Sequence, residues 1–358
     1  MRKRLIISVI LCLCLTAAIL TGCNNTAKPA DQATEVATGA ATEATTTADD
    51  TKTDGIDYMA LVNKTHKLPD NWEDKLETVH MTNSIGDDVE VEKKAYDAYL
   101  KLKADLEKDG VTVDLDSARR SVADQQRIMD EFTEQYGKDY ALKTVATPGY
   151  SEHHTGLALD LYLIIDGKDV TENEDMVQYP EIWEKIHAKL ADYGFILRYL
   201  EGREYITGYG YEPWHIRYLD NAEIAKEITD KDITFEEYLG TYTGGKAEID
   251  YGTSSIYSEE DLKAAVIQIE CKFASYDGCV LKNIRYAGDE AVTEQELERM
   301  NTINPDAKYT KVVKFLMDFH TPEDVGDMTF KPDADYNDYG WWLARTDEGG
   351  WEIVTFGY

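Results

Sequence analysis

Residues 151–165, Ser151-Glu152-His153-His154-Thr155-Gly156-Leu157-Ala158-Leu159-Asp160-Leu161-Tyr162-Leu163-Ile164-Ile165, decide the fold around them. Leu157, Leu159, Leu161 and Leu163 alternate with Ala158, Asp160, Tyr162 and Ile164. That is the period of a strand, so the leucines face a core and Asp160 faces the opposite way. A carboxylate in the middle of so apolar a strand needs a partner, because burying it alone is costly. A metal, or a salt bridge to Arg217 or Arg198, satisfies it. Gly156 lets the chain turn just ahead of the strand, so His153 can swing toward the Asp160 face.

A second short region, Glu212-Pro213-Trp214-His215, supplies another acid and another imidazole. His215, Arg217 and Leu219 share one strand face, whereas Glu212 has the wrong parity for it. Pro213 argues against a regular central strand through this point, which puts Glu212 on a turn. There it can approach a metal without being a ligand. Imidazoles and carboxylates are donors that suit zinc. No His-Glu-x-x-His helix is present, so the commonest metalloprotease pattern is absent.

Outward from these regions the chain predicts helices and strands in mixture. Val91–Lys108 carries Ala95, Tyr99, Leu102 and Leu106 at helical spacing and stops at Gly110. Val111, Val113 and Leu115 alternate as a strand. Ser121–Tyr136 is helical through Val122, Ile128, Met129 and Phe132, ending at Gly137. Pro180 opens a helix with Ile182, Ile186 and Leu190, closed by Gly194. Phe195–Leu200 and Trp214–Leu219 are further strands. His187 is a packing or surface residue of the Pro180 helix. The implied fold is α+β: a small antiparallel sheet flanked by helices, occupying residues 57–240.

Thr241–Thr253, rich in Gly and Thr, is a linker, and residues 254–358 form a second, small α+β domain. Ser258 with Asp261 has the form of a capping box opening a helix through Leu262, Val266, Ile269 and Phe273. Strands follow at Val280–Tyr286, Val312–Phe319, and a hairpin of Trp341–Arg345 with Trp351–Phe356. One helix followed by antiparallel strands resembles the NTF2-like and cystatin-like folds. The Trp341, Trp342 and Trp351 cluster fills the hairpin core in preference to stacking on sugars. Cys271 falls on the helix face opposite Leu262 and Phe273. With Cys279 shortly after the helix end, a Cys271–Cys279 disulfide is expected in an exported domain.

The 358 residues carry a formal charge of -32, which excludes a nucleic-acid binder, since phosphate neutralisation needs clustered cations. Arg2, Lys3 and Arg4 precede the apolar run Leu5–Leu20, an export signal over residues 1–22. Leu20-Thr21-Gly22-Cys23 resembles the lipobox of bacterial lipoproteins. That resemblance implies lipid on Cys23 and a protein anchored to the outer face of the cytoplasmic membrane. Residues 23–56, dominated by Ala and Thr, then form a flexible tether.

Taken together, residues 151–160 and 212–215 resemble the Ser-x-His-x-x-Gly-x-Ala-x-Asp and Glu-x-x-His motifs of the VanY-type D-alanyl-D-alanine carboxypeptidases. Ser117-Ala118-Arg119-Arg120-Ser121, with Gln125 after it, is similar to that family's upstream Arg-Ser element. Thr207-Gly208-Tyr209 and Glu236-Glu237-Tyr238-Leu239 also look like parts of it. The resemblance spans roughly Asp57–Gly240. It implies a Zn2+ ion on His153, Asp160 and His215, with His154 as rival to His153. It implies Glu212 as general base and acid, and Arg120, in preference to Arg119, polarising the scissile carbonyl. Ser151 and Gln125 would contact substrate. The implied reaction is hydrolysis of the terminal D-Ala from peptidoglycan stem peptides. L,D-carboxypeptidase action on tetrapeptides and a non-catalytic wall-binding role are the alternatives.

Overall fold

The computed structural model describes residues 55–136, 145–326, 328–347 and 349–358. The expected export signal, Cys23 and all but the last two residues of the tether lie outside the described residues, as does Gly137. Among the described residues no helix is long and apolar enough to cross a membrane.

Strands β1 (Thr78–Thr82) and β2 (Asp88–Glu92) form an antiparallel hairpin that runs directly into α1 (Lys93–Lys108). Glu92 caps α1 by accepting the Ala95 N–H at 2.8 Å, and Ala95, Tyr99, Leu102 and Leu106 line its buried face. Then come β3 (Val113–Ser117), α2 (Val122–Tyr136), β4 (Ala158–Ile165), β5 (Lys168–Val170), α3 (Pro180–Leu190), β6 (Phe195–Leu197), β7 (His215–Tyr218) and α4 (Ala222–Asp230). The sheet order is β3-β4-β7-β6, with β5 on the far end of β4, and every pairing is antiparallel. Leu157, Leu159, Leu161 and Leu163 enter one core with Tyr99, Leu102, Trp183 and Ile186, as their alternation predicts. Ala158, Asp160 and Tyr162 on the other face are buried as well. The β1–β2 hairpin and α4 were not read from the sequence. β1 and β2 are short and polar on alternate positions, and their pairing joins residues that only the turn brings together.

The C-terminal part is a five-stranded sheet of order β12-β11-β10-β9-β8. It is built from β8 (Glu248–Asp250), α5 (Glu259–Phe273), β9 (Val280–Tyr286), α6 (Glu294–Ile303), β10 (Lys311–His320), β11 (Asp335–Arg345) and β12 (Glu352–Gly357). Only β8, which pairs with β9, is parallel. Ser258 caps α5 by accepting the Asp261 N–H. Trp341 and Trp351 are buried in the core beneath α5. Trp342 points elsewhere, its ring 4.6 Å from the Arg299 guanidinium and 4.5 Å from Lys314 Nζ.

The expected Cys271–Cys279 disulfide is not formed. Cys279 is buried in the second core, where burial pushes its thiol up to about 12. Cys271 is half-buried on the outward side of α5, near enough to Tyr209 to influence its ionisation. Cys279 lies past the end of α5 and packs into the second core, whereas Cys271 on α5 is not part of that core.

The expected linker 241–253 is in part structured, since β8 (Glu248–Asp250) within it is an edge strand of the second sheet, and the two sheets are joined by packing as well. Tyr205 and Ile206, from the helical turn Glu204–Thr207, belong to the second core. At this junction Glu204 and Glu270 are each 2% exposed. Glu204 Oε2 and Glu270 Oε1 have no hydrogen-bond partner. Burial, then mutual repulsion, raises Glu270 well above its ordinary 4.5, and burial chiefly raises Glu204. A carboxyl whose pKa rises on folding favours the fold while protonated, and that stability is lost as pH climbs above the ordinary value. Glu270→Gln is therefore expected to stabilise the protein at pH 7 by on the order of 1 kcal/mol, one pKa unit being about 1.4 kcal/mol. The gain should vanish below about pH 4.5 when melting temperatures are compared across pH; a gain independent of pH would contradict this origin.

Candidate metal centre and active site

Asp160 sits where three strands meet, paired with His215 on β7 and with Ser117 on β3. The Ser117 hydroxyl donates to Asp160 Oδ2 at 2.8 Å. His153 comes from a short 3-10 turn, Glu152–Thr155, which ends at Gly156 with φ +73°. A Cβ at Gly156 would lie 3.3 Å from Glu92 Cβ, so both the left-handed backbone and the close approach require glycine. This turn delivers His153 to the Asp160 face.

The partners of each ring settle which nitrogen is available. His153 Nδ1 lies 2.6 Å from the Ala118 carbonyl, to which it must donate, leaving Nε2 3.2 Å from Asp160 Oδ2. His215 Nε2 lies 3.0 Å from Glu152, leaving Nδ1 3.0 Å from Asp160 Oδ1. The rings meet edge-on with centroids 4.9 Å apart. One donor atom from each of His153, Asp160 and His215 lies within 4.8 Å of the others, and all three residues are buried. A tetrahedral ion with bonds near 2.0–2.1 Å holds its donors about 3.3 Å apart, close to the two histidine–aspartate separations. The His215 ring, between two carboxylates, holds its proton up to about 10 although burial opposes it. A cation on Nδ1 competes with that proton. The residues fit a metal, and two nitrogens with one carboxylate oxygen suit zinc.

His154 is committed elsewhere. Its Nδ1 donates to the Arg120 carbonyl at 2.7 Å, and its Nε2 accepts the Gly149 N–H at 3.0 Å. Burial lowers its pKa to about 4, so it is a neutral brace. Arg119 turns away to Glu90 and Glu73. Arg120 lines the cleft and donates to Gln125 Oε1 at 3.0 Å, while Gln125 donates to the Ala146 carbonyl. Ser151 is buried on the cleft wall.

Glu212 sits on the turn before β7, with its Oε2 3.7 Å from His215 Nδ1. Its main chain is fixed by the Glu212 N–H to the Tyr199 carbonyl and the His215 N–H to the Glu212 carbonyl. His187, stacked on Trp183, bonds the Pro213 carbonyl at 2.9 Å. Burial pushes the Glu212 carboxyl up to about 7, helped by Asp160 and Glu152 and opposed by His215. An acid titrating near neutrality beside a metal site is suited to moving protons. The cleft above these groups, open to solvent, is walled by Ile128, Phe132, Tyr199, Tyr209 and Trp214.

Glu152 was not singled out in the sequence. The salt bridges considered for Asp160 go to it instead: Arg198 Nε at 2.8 Å and Arg217 at 2.9 Å. Burial alone would raise this carboxyl, but Arg198, Arg217 and His215 hold it well below the usual carboxylate range. Its only sequence signal is its place between Ser151 and His153. Tyr199, its ring tilted 4.7 Å from that of His215 and 4.8 Å from that of Tyr209, was likewise not singled out, and Tyr209 was noted only within Thr207-Gly208-Tyr209.

Residues 88–221 match the VanY family, described as D-alanyl-D-alanine carboxypeptidase. The chain is 35% identical over 199 residues to the putative carboxypeptidase YodJ of Bacillus subtilis (strain 168), a match covering 52% of this chain and 71% of that protein. It is 33% identical over 190 residues to VanXYC of Enterococcus gallinarum, a bifunctional D-Ala-D-Ala dipeptidase and carboxypeptidase, covering 51% of this chain and 94% of the relative. Among solved structures, the vancomycin resistance D,D-pentapeptidase VanY from the VanB-type cassette, in complex with Zn(II), is 31% identical. That match covers 51% of this chain and 98% of the other, with a TM-score of 0.42. The chain belongs to the VanY family of carboxypeptidases, and is thereby a hydrolase of peptidoglycan peptides. The His153/His154 assignment is open to direct test. His154→Gln should retain one equivalent of bound metal by elemental analysis, whereas His153→Gln should lose it; the reverse pattern would exchange the two roles.

Proposed function

We propose that this protein is a zinc-dependent D-alanyl-D-alanine carboxypeptidase that removes the terminal D-Ala from peptidoglycan stem peptides. The observation that carries the reading is the buried His153–Asp160–His215 cluster with Glu212 beside it at the floor of one cleft. Bound there, zinc supplies Lewis acidity toward the scissile carbonyl and a water. Glu212, beside the donor cluster, takes a proton from the attacking water. It then returns that proton to the amine of the departing alanine. Arg120, held by Gln125, directs its guanidinium at the developing oxyanion, a contribution of order 2.7–4 kcal/mol for one such donor. Ser151 on the same wall contacts the substrate. Catalysis is assigned to residues 57–240, and the role of 254–358 is that of an appended α+β unit.

A formal charge of -32 speaks against nucleic acid as a partner, since phosphate neutralisation needs clustered cations. The lipobox-like Leu20–Cys23 supports lipid anchoring on the outer face of the cytoplasmic membrane, where the wall peptides are. Cys23→Ala should shift the protein from the membrane pellet to the soluble fraction; undiminished sedimentation with membranes would refute the anchor.

Mass analysis of digests separates the specificities. Muropeptides ending in D-Ala-D-Ala should lose one alanine, and those ending in L-Lys-D-Ala, or its diaminopimelate equivalent, should remain intact. The opposite result reassigns the enzyme as an L,D-carboxypeptidase, and no cleavage with zinc bound makes it a binding protein. Glu212→Gln should keep its zinc and lose about 10²–10⁴-fold in kcat, the range for general acid–base catalysis.

A further inference from the structure

Beneath the His153–Asp160–His215 cluster lies a buried group of four charges that no step of the reaction uses. Glu152 accepts Arg198 Nε at 2.8 Å and Arg217 Nη1 at 2.9 Å, and its second oxygen receives His215 Nε2 at 3.0 Å. Arg198 then reaches Glu236 with both terminal nitrogens, at 2.9 and 2.6 Å, and Glu236 accepts from the Asn63 amide at 3.0 Å. Arg217 Nη2 donates to the Tyr58 and Ala60 carbonyls, at 3.0 and 2.9 Å, and its Nε to the Tyr218 carbonyl at 3.1 Å. The Glu152, Arg198 and Arg217 side chains are fully buried. Two carboxylates and two guanidiniums cancel one another, so the group is neutral without a proton from His215.

We infer that Glu152 is a positioning residue: its carboxylate, clamped by Arg198 and Arg217, fixes His215 as the tautomer that offers Nδ1 to the metal. This rests on the metal reading proposed above. His215 has two nitrogens and only one faces Asp160, so the other must carry the proton and must be told where to point. A carboxylate does both, and carboxylate partners of this kind tune metal affinity. A lone buried carboxylate would compete for the imidazole proton. Two guanidiniums on Glu152 withdraw that basicity, so the proton stays on Nε2 as a donor. His153 is handled differently: its Nδ1–H goes to a neutral carbonyl, that of Ala118. The two histidines therefore present opposite nitrogens to one ion. The arginines are braced by residues 58–63, ahead of the first strand, so a segment distant in sequence supports the metal ligand.

The test compares zinc affinity of the full chain and of Glu152→Gln by chelator competition, with circular dichroism to verify folding. Wild type should bind one equivalent, and a folded Glu152→Gln should bind it 10–100-fold more weakly. Equal affinity in a folded variant overturns the inference while leaving the metal reading intact; no zinc on wild type overturns both. A second measurement does not depend on the variant folding. In zinc-loaded, ¹⁵N-histidine-labelled wild type, His215 should show a protonated Nε2 and a metal-shifted Nδ1, and His153 the converse. An unprotonated or metal-bound Nε2 on His215 overturns the inference.

Discussion

A carboxylate in the middle of a strand buried on both faces, Asp160 on β4, is the constraint around which the first sheet is arranged. The effective penalty for burying such an ion is several kcal/mol. The sheet offsets it by register: Ser117 on β3 and His215 on β7 stand directly opposite it. The 3-10 turn before β4 brings His153 in from outside the sheet. A cluster assembled this way presents three donors to one point, as a cation site requires.

The layer below answers a different problem. Buried ion pairs contribute little net stability, since desolvation consumes most of the Coulomb gain. The Glu152, Arg198, Arg217 and Glu236 group is better understood as a geometric device. Each guanidinium has its nitrogens distributed over fixed acceptors, so Glu152 has one position, and His215 inherits it.

The second sheet bears on the first through one helical turn. Glu204–Thr207 packs on α5, and the chain then passes Gly208 and Tyr209 to Glu212. Gly208 has φ +75°, and a Cβ there would come within 2.8 Å of Lys64 Cδ and 3.4 Å of Ala274 Cβ. The loop leading to Glu212 is thus pressed between the N-terminal segment and the end of α5. Placement of the acid depends on groups from three distant parts of the chain.

Much of this was legible in the sequence. Leucine alternation defined β4, helical spacing defined α1, α2, α3 and α5, and Pro213 put Glu212 on a turn, because these follow from backbone periodicity and local sterics. The residue types His153, Asp160, Glu212 and His215 announced the chemistry for the same reason: few other side chains hold a metal or move a proton. What the sequence left open was every question of partner. Whether His153 or His154 faces Asp160, whether Arg119 or Arg120 enters the cleft, and which acid takes Arg198 and Arg217 were decided by strand register and packing. So was the fate of Cys271 and Cys279, eight positions apart yet one on α5 outside the second core and the other buried within it. Local sequence determines which groups are present and how the chain runs through them; only the folded sheet, by bringing residues 58–63, 117–120, 152–160, 198 and 212–217 together, determines which atoms meet.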